Sequence, residues 1–425
     1  MTTAQDITQL VDAVYSERAR SGINPSSSGA ASSAGYTTEQ LSSVPEGANL
    51  GLGCGCPVPT AGLQKGEVVL DLGSGGGLDA LLAADQVGPT GAVVGLDGSE
   101  DMIALARRNA KSKGLKPPHV AFARALLTEE LPIESSAVDC VLSNCVLNLV
   151  PGEGKAAILK EIFRVLKPGG RIHLADVVAI REMPNNVKND MSNYVNCISG
   201  AMPREEYQSL LEAAGFTEIS LINLEKDLTA CWPRPMQIEP QSSAGGNKSC
   251  CSAQQSDTGF SLDPNEFVSS YQISARRPRE PAVPVSPTVL KNWWYAYPEV
   301  RSTPDAFTAE EVAAFIRDPT KTSKDFTVID VRRNDHAGGH VRGSLQCPAQ
   351  SFYDDAPGYF EKFKDSENVI FYCQSSNGRG PRCAGWYQDY LNSVGHTSSK
   401  AYVMAGGIKG WMSRFKGEEG LVDYD

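Results

Sequence analysis

One short stretch limits the possible folds more than any other: an apolar run at residues 67–72 that ends in a glycine-rich loop, Asp71-Leu-Gly-Ser-Gly-Gly-Gly77. A short apolar run predicts a buried strand, and the pattern of residues 78–86 predicts a helix. The glycines permit a tight turn and let a ligand lie against bare backbone. The stretch therefore predicts a strand, a ligand-binding loop and a helix in direct succession, although a tight turn without a ligand would need the same residues.

The same alternation continues along the chain. Apolar runs alternate with helix-length segments, which favours parallel strands joined by helical crossovers. We therefore predict an α/β protein whose first part is a doubly wound sheet. The further predicted strands are residues 92–97, 138–143, 171–178 and 267–275, and the further predicted helices are residues 99–113 and 155–166.

Charge and composition exclude several functions. The chain has 425 residues, a formal net charge of −11 and no basic run, so we expect neither nucleic acid nor an anionic membrane as a partner. No apolar run approaches the roughly 20 residues that a spanning helix needs, and the first residues do not match a signal peptide. Eleven cysteines, an odd number, indicate reduced thiols. We expect a cytoplasmic monomer.

The length predicts more than one domain. Proline punctuates residues 276–287, which predicts a semi-rigid linker. We place the first domain at residues 1–278, the linker at 279–289 and the second domain at 290–425. Small polar residues predict mobile loops near 21–35 and 233–263. The second domain repeats the α/β pattern, with predicted strands at 327–331, 368–373 and 401–404 and a predicted helix at 385–394.

The glycine-rich loop differs from the dinucleotide-binding fingerprint, which needs Gly or Ala where this chain has Leu78. With Asp71 included, it resembles the S-adenosylmethionine loop of class I methyltransferases. Asp97 ends the second predicted strand, where a carboxylate can accept hydrogen bonds from both ribose hydroxyls. The predicted S-adenosylmethionine-binding residues are Asp71, Gly73, Ser74, Gly75, Gly77, Asp97 and Met102.

Three cysteines lie in distinctive segments of the first domain: Leu52-Gly-Cys-Gly, Ser143-Asn-Cys-Val-Leu-Asn-Leu149 and Cys197-Ile-Ser-Gly-Ala201. Their spacing is too irregular for a zinc ribbon. Together with the loop of residues 71–77 and the segment beginning Tyr36-Thr-Thr-Glu-Gln-Leu, they resemble the arsenite methyltransferase family over roughly residues 8–278. The resemblance implies methyl transfer from S-adenosylmethionine to As(III), with Cys54, Cys145 and Cys197 as the As(III) ligands.

The implied chemistry suits these residues. As(III) is soft and prefers thiolates, as soft metals do. Three thiolates can hold it in a pyramid whose lone pair stays free to attack an electrophilic methyl group, and the rate then depends on holding both reactants in line. No general base is needed, because the nucleophile carries no proton.

The remaining cysteines of the first domain are less specific. Many relatives carry a further cysteine in the region equivalent to residues 21–35, where this chain has none. That difference leaves open a fourth, disulfide-forming thiol and the extent of methylation. Cys56 is either a bystander or a relay thiol, and the vicinal pair Cys250-Cys251 either captures arsenite or is incidental. Cys140 and Cys231 fit small buried hydrophobic residues.

In the second domain, Val328-Ile-Asp-Val-Arg332, Gly339-His-Val-Arg-Gly-Ser344 and Phe371-Tyr-Cys-Gln-Ser-Ser-Asn-Gly-Arg379 resemble the rhodanese superfamily, over about residues 290–415. The resemblance implies a strand that delivers Cys373 into a loop whose N–H groups converge on an oxyanion. Arg379 would add a bidentate fork to that oxyanion. Both features lower a thiol pKa and favour the reactive thiolate.

The loop distinguishes members of that superfamily. Five residues separate Cys373 from Arg379, whereas sulfurtransferases usually have one residue fewer. The spacing is similar to that of cell-division-cycle phosphatases and the related eukaryotic arsenate reductases. Those phosphatases carry carboxylates in the loop, and this loop has none, which makes it nearer to the arsenate reductases. Tyr372 stands where relatives usually have His, which leaves the thiolate pKa open.

Other residues of the second domain are weaker candidates. Cys347 and Cys383 could resolve an oxidised Cys373, or they are packed thiols. Asp330 fits a structural role better than that of an acid catalyst, and Asp335 is a weak candidate for a general acid.

We therefore expect a class I methyltransferase sheet followed by a smaller rhodanese-like α/β domain. The implied substrates are arsenite and possibly arsenate, and the implied second reactant is a thiol reductant of the glutathione or thioredoxin/glutaredoxin type. The alternatives are a methyltransferase fused to a phosphatase or sulfurtransferase, or to a non-catalytic arsenic or sulfur carrier.

Overall fold

The computed structural model describes residues 3–21, 27–152, 154–229, 263–279, 288–333 and 335–424. The chain divides into two compact units, Met1–Ala296 and Tyr297–Asp425. Each unit has its own sheet, as the sequence predicts for an α/β fusion. The domain limits and the linker at 279–289 stay predictions, since residues 280–287 lie outside the described part of the chain.

Among the described residues of the first unit, eight strands form one sheet in the order β3-β2-β1-β4-β5-β8-β7, with β6 paired to β5. The pairs from β3 across to β5 are parallel, and β8 lies antiparallel between β5 and β7. The strands are β1 (Val68–Leu72), β2 (Ala92–Asp97), β3 (Val120–Arg124), β4 (Val138–Asn144), β5 (Leu166–Ala179), β6 (Met202–Pro203), β7 (Thr217–Asn223) and β8 (Val268–Arg276).

Helices connect these strands, and the predicted doubly wound fold is confirmed. The helices are α1 (Ala4–Ser21), α2 (Ser27–Ala34), α3 (Thr38–Ser43), α4 (Leu78–Val87), α5 (Glu100–Ser112), α6 (Gly154–Val165), α7 (Asn185–Lys188), α8 (Met191–Val195) and α9 (Arg204–Ala213). Strand order reverses between β1 and β4. The carboxyl ends of strands at such a reversal form a crevice that binds ligands in open α/β sheets.

One predicted loop is a helix. The small polar residues at 21–35 predict a loop, but α2 occupies Ser27–Ala34. Ala31 and Ala34, one helical turn apart, are buried and join the core cluster that contains Tyr36. Small side chains therefore serve close packing here, so the prediction is wrong for these residues. The second predicted loop, with Cys250 and Cys251, lies outside the described residues.

The second unit is built around a parallel five-stranded sheet in the order β12-β10-β13-β14-β9, with a separate antiparallel pair of β11 and β15. Its strands are β9 (Asp305–Phe307), β10 (Phe326–Asp330), β11 (His340–Val341), β12 (Leu345–Gln346), β13 (Asn368–Tyr372), β14 (Lys400–Met404) and β15 (Val422–Asp423). Its helices are α10 (Ala309–Arg317), α11 (Ala349–Phe363), α12 (Arg379–Ser393) and α13 (Gly407–Phe415). Strand β13 is buried from Val369 to Tyr372, so Cys373 emerges directly from the core.

Candidate active sites

A cavity of about 740 Å³ opens at the carboxyl ends of β1, β2 and β4 in the first unit. It lies at the reversal of strand order, where the fold is expected to bind a ligand. Most residues predicted for the cofactor and all three predicted arsenic ligands line it: Asp71, Gly73, Ser74, Gly75, Asp97, Cys54, Cys145 and Cys197. One space therefore holds both sets of residues.

The glycine-rich loop presents backbone to this cavity. Gly75 has φ +51°, and a Cβ atom on it would meet no protein atom within 4 Å. Its N–H donates to Asp97 Oδ2 at 2.9 Å, and the Ser99 N–H donates to Asp97 Oδ1 at 2.9 Å. Desolvation raises the pKa of Asp97, while these two N–H donors lower it. Asp97 thus also fixes the loop, a role that the sequence did not indicate.

Two buried polar atoms face the cavity without a protein partner. Asp71 is 2% exposed, and neither its Oδ2 nor the Ser74 Oγ has a hydrogen-bond partner among the described residues. Buried polar groups are rarely left unsatisfied, so such atoms at a cavity wall indicate that a ligand supplies their partners. Bare glycine backbone and unsatisfied acceptors fit a cofactor that carries an ammonium group and hydroxyls, as S-adenosylmethionine does.

Gly77 and Met102 do not line the cavity. A Cβ atom on Gly77 would lie 3.0 Å from the Phe122 ring, so this glycine serves the packing of α4 against the sheet. Met102 is fully buried in α5, and its N–H donates to Ser99 Oγ at 3.2 Å. Both residues pack behind the residues that line the cavity, and neither contacts the space that a cofactor would fill.

The three predicted arsenic ligands meet around Cys145. The Sγ atoms of Cys54 and Cys145 lie within 4.8 Å of each other, and the Cys197 thiol donates to the Cys145 carbonyl oxygen at 2.8 Å. Cys145 follows the last residue of β4 and has φ +60°, and Cys197 has φ +66°. Such backbone conformations are costly for residues other than glycine and persist where the surroundings enforce them, often at functional sites.

The surroundings raise the pKa of two of these thiols, Cys145 and Cys54. Hydrogen bonds with Cys197 and Cys54, and then burial, raise the pKa of Cys145 well above its ordinary value. The hydrogen bond with Cys145 lowers the pKa of Cys54, but burial and the negative charge of Asp176 outweigh it, so the pKa is raised. A ligand that binds sulfur must therefore displace protons.

Asn144, which the sequence did not single out, joins the Cys54 loop to the end of β4. Its Oδ1 accepts the Cys54 N–H at 3.1 Å, and its Nδ2 donates to the Gly55 carbonyl oxygen at 2.8 Å. The same amide contacts Tyr36 Oη at 2.9 Å and Asp79 Oδ2 at 3.2 Å. Its position beside Cys145 in the Ser-Asn-Cys motif was the available signal. Asn144 sets the distance between Cys54 and Cys145.

Helix α1 was also missed, because nothing in its sequence marks it as part of a site. It lines the cavity and is tied to both of its ends. Ser16 Oγ lies 2.8 Å from Ser99 Oγ on the cofactor side, and Tyr15 Oη donates to the Val195 carbonyl oxygen at 3.2 Å on the thiol side. The helix thus covers both predicted binding regions.

In the second unit, Cys373 follows β13 and is 3% exposed. Its carbonyl oxygen accepts the Ile408 N–H at 2.9 Å. A Cβ atom on Gly407 would lie 2.4 Å from that carbonyl oxygen and 2.9 Å from the backbone nitrogens of Ser375 and Ser376. Only a glycine therefore permits the approach of α13 that braces the thiol loop.

Arg379 begins α12, and both arms of its guanidinium contact Asp335. The Nη1–Oδ1 distance is 2.9 Å and the Nη2–Oδ2 distance is 2.5 Å. This pair holds the pKa of Asp335 well below its ordinary value. Asp335 is therefore ionised and cannot act as a general acid in this arrangement. An oxyanion would have to compete with it for the fork of Arg379.

The other candidates of the second unit are buried. Asp330 is fully buried and pairs with Arg332 at 2.6 Å, which suits the expected structural role. Burial raises the pKa of Cys347 to about 11 and raises the pKa of Cys383 well above its ordinary value. A resolving role for either thiol stays a prediction.

Comparison with known proteins supports the division of the chain into two domains. The family model described as a methyltransferase domain matches residues 63–215, and the one described as a rhodanese-like domain matches residues 308–414. In the part of the chain that the structure describes, no helix combines the length and apolar character needed to cross a bilayer. The chain joins a class I methyltransferase domain to a rhodanese-like domain.

Several curated relatives indicate which kind of methyltransferase the first domain resembles. An arsenite methyltransferase from Halobacterium salinarum is 40% identical over 44% of this chain and 46% of its own length. One from Mus musculus is 33% identical over 45% of this chain and 51% of its own length. The chain thus spans about half the length of these relatives, and its methyltransferase domain is homologous to arsenite methyltransferases. The crystal structure of an arsenic(III) S-adenosylmethionine methyltransferase from Chlamydomonas reinhardtii is 26% identical, covering 60% of this chain and 74% of that chain, with a TM-score of 0.39.

Proposed function

We propose that the first domain transfers methyl groups from S-adenosylmethionine to As(III) bound by Cys54, Cys145 and Cys197. The observation that carries this proposal is that the three cysteines line the same cavity as Gly75 and Asp97, with the Sγ atoms of Cys54 and Cys145 within 4.8 Å of each other. Soft ligands and a cofactor loop share one space, so the two reactants can be held close together.

In this proposal, separate groups of residues bind the methyl donor and the arsenite. S-adenosylmethionine, when bound, supplies an electrophilic methyl group that the As(III) lone pair can take. Gly75 leaves room for it, and Asp71, Ser74 and Asp97 provide hydrogen-bonding partners. When arsenite binds, three As–S bonds replace three As–O bonds, and each thiol proton leaves with a hydroxide as water. Neutral thiols in a buried site suit this exchange, because no net charge is buried.

Loss of one thiol tests the ligand set. We expect Cys145→Ser and Cys197→Ser each to abolish arsenite methylation while S-adenosylmethionine binding, measured by calorimetry, stays unchanged. Cys140→Ala is the matched control, because Cys140 is fully buried in β4, the strand that ends just before Cys145, and does not line the cavity. Full methylation by Cys145→Ser would refute the assignment.

We further propose that the second domain reduces arsenate to arsenite. An acid-free Cys-x5-Arg loop whose strand delivers Cys373 from the core suits a tetrahedral oxyanion. The Cys373 thiolate would form an As–S bond as one arsenate oxygen leaves as water. A second thiol would then attack Cys373 Sγ, forming a disulfide and releasing arsenite, so that two thiols supply the two electrons. That thiol is Cys347, Cys383 or an external reductant of the glutathione or thioredoxin/glutaredoxin type.

Speciation of the arsenic products tests both steps together. With a reductant that does not itself reduce arsenate, the intact chain should convert arsenate into methylated arsenicals. Cys373→Ser should fail with arsenate and still methylate arsenite. Equal use of arsenate by both proteins would remove Cys373 from the pathway, and hydrolysis of an aryl phosphate without arsenate reduction would favour the phosphatase alternative. Thiosulfate:cyanide sulfurtransfer would favour a sulfurtransferase, and no turnover at all would favour a carrier.

The eight cysteines in the described part of the chain are free thiols. Both proposed reactions need reduced thiols, so we infer that the protein acts in the cytoplasm, where thiols stay reduced. We expect it to act as a monomer.

A further inference from the structure

A buried carboxylate lies beside two of the proposed arsenic ligands and has no part in the reaction above. The Sγ atoms of Cys54 and Cys145 and one carboxylate oxygen of Asp176 all lie within 4.8 Å of one another. Asp176 is 1% exposed and Cys54 is 2% exposed. Cys197 is not a member of this trio.

Neighbouring residues orient the Asp176 carboxylate. Its Oδ1 accepts hydrogen bonds from Asn148 Nδ2 and from the Val177 N–H, each at 2.9 Å. Among the described residues, the hydrogen bond found for its Oδ2 is a long one, 3.4 Å, from Tyr207 Oη. Oδ1 is therefore held in place, whereas Oδ2 has lone pairs that are available to a cation. Metal-binding carboxylates are commonly held in this way by an outer shell of hydrogen bonds.

We propose that Cys54, Cys145 and Asp176 form a binding site for a thiophilic divalent cation, with zinc as the type case. Zinc takes mixed thiolate and carboxylate ligands in a tetrahedron, with bonds of about 2.0–2.3 Å. The ligand atoms of such a tetrahedron are about 3.6 Å apart, so small side-chain rotations close the trio around an ion. A water molecule would fill the fourth position.

The charges balance without any oxidant or reductant. The two thiol protons pass to solvent as two metal–sulfur bonds form, and the carboxylate adds the third bond. Two thiolates, one carboxylate and a divalent ion leave one net negative charge. The half-buried Lys155 ammonium interacts electrostatically with Asp176 and can offset that charge. The hard oxygen ligand separates this set from the all-sulfur set expected for As(III).

The two ligand sets share Cys54 and Cys145, so the cation and arsenite should exclude each other. This consequence depends on the proposed arsenite function, whereas cation binding itself does not. Asp176 then belongs to the zinc set alone and Cys197 to the arsenite pyramid. Each can therefore be changed separately.

Zinc affinity is the direct test. It can be measured by competition with a chromogenic chelator on the full chain, with Cys250→Ser and Cys251→Ser as a common background. We expect Asp176→Asn to weaken zinc binding about tenfold or more and Cys145→Ser to abolish it. Cys56→Ser is the matched control, because this neighbouring thiol lies outside the trio, and should leave zinc affinity unchanged. Unchanged S-adenosylmethionine binding will show that each variant is folded, and zinc binding by Asp176→Asn at wild-type affinity would overturn the proposal.

The amount of arsenite that the protein retains distinguishes the zinc ligands from the arsenite ligands. Arsenic retained after gel filtration should fall as zinc is added to the wild type. It should fall much less in Asp176→Asn, which keeps its arsenite affinity within about twofold. Cys197→Ser should lose arsenite and keep most of its zinc affinity. If zinc binds as expected but arsenite does not bind at all, the proposed function fails and the cation site stands; if both bind at once, the shared-ligand inference is wrong.

Discussion

Asp335 and Arg379 form a bidentate ion pair beside the loop that carries Cys373, with hydrogen bonds of 2.9 and 2.5 Å. The carboxylate thereby occupies the donors that a bound oxyanion would use. If the second domain binds an oxyanion as proposed, that oxyanion must displace the Asp335 carboxylate from Arg379.

Removal of that carboxylate charge should free the guanidinium. We expect Asp335→Asn to tighten arsenate or phosphate binding to the second domain severalfold, measured by calorimetry or as competitive inhibition. Arg379→Lys should weaken binding, since a lysine cannot form a two-pronged contact. Weaker oxyanion binding by Asp335→Asn would instead mean that Asp335 holds Arg379 in its productive position.

The same pair predicts a pH dependence. Because the folded pKa of Asp335 is lowered, its contribution to stability is present above the unfolded pKa of about 3.9 and is lost as the pH falls toward the folded value. Oxyanion binding between pH 5 and 8 should therefore show no step due to Asp335. A step in that range that disappears in Asp335→Asn would contradict the pairing.

Asn144 should control the geometry of the thiols and leave the cofactor alone. We expect Asn144→Ala to weaken arsenite loading about tenfold or more, because the Cys54 N–H loses the acceptor that holds it beside Cys145. S-adenosylmethionine affinity should stay within about twofold. Tyr36→Phe is the matched control: it removes a hydroxyl that contacts Asn144 and keeps the contact with Cys54. Equal losses in both variants would point to general destabilisation.

A side chain at Gly75 should block the cofactor directly. The Cβ of Gly75→Val would enter open cavity and displace no protein atom, so we expect S-adenosylmethionine binding to be lost. Gly88→Val is a close control for backbone strain, since Gly88 also has a positive φ and free space around its Cβ and lies outside the cavity lining. Similar melting temperatures with loss of binding in Gly75→Val alone would support the role. Retained binding would move the cofactor away from this loop.

Asp79 should make the first domain less stable as the pH rises. Burial raises its pKa to about 6. The folded state therefore retains a proton that the unfolded chain releases near pH 4, and stability falls between about pH 4 and pH 6, by an amount on the order of 1–3 kcal/mol. Asp79→Asn should flatten this decline in urea denaturation. Tyr36→Phe removes a donor that lowers the pKa of Asp79, so it should extend the decline to higher pH, and parallel profiles for all three proteins would refute the assignment.

Buried elements were predicted best from the sequence. Strand β2 has the predicted limits, because a central parallel strand is buried on both faces and appears as an unbroken apolar run. The exposed edge strand β7 was not predicted, since its outward residues are polar and its pattern is weak. Alanine and serine at α2 suggested a loop, although the alanines are packed in the core.

The residues of the two candidate sites also fall into a predicted group and a group that could not be predicted. The glycine loop and the cysteine motifs are local patterns, so a single sequence shows them. Contacts such as Asp335 with Arg379 join residues 44 positions apart and depend on the tertiary fold. Asp176 is one acid within an apolar strand, and only the packing of the sheet places it beside Cys54 and Cys145.

Helix α1 has a consequence for the timing of turnover. It contacts the cofactor side through Ser16 and the thiol side through Tyr15, yet Ser16 and Ala19 are its only buried residues among those described. We therefore expect detachment of this helix to cost less free energy than unfolding of the sheet, whose central strands are almost wholly buried. Detachment of this helix would admit water to both ends of the cavity at once. If the first domain acts as proposed, spent cofactor and methylated product would leave through that opening, and the time for which the helix stays attached would limit how many methyl groups are added before release.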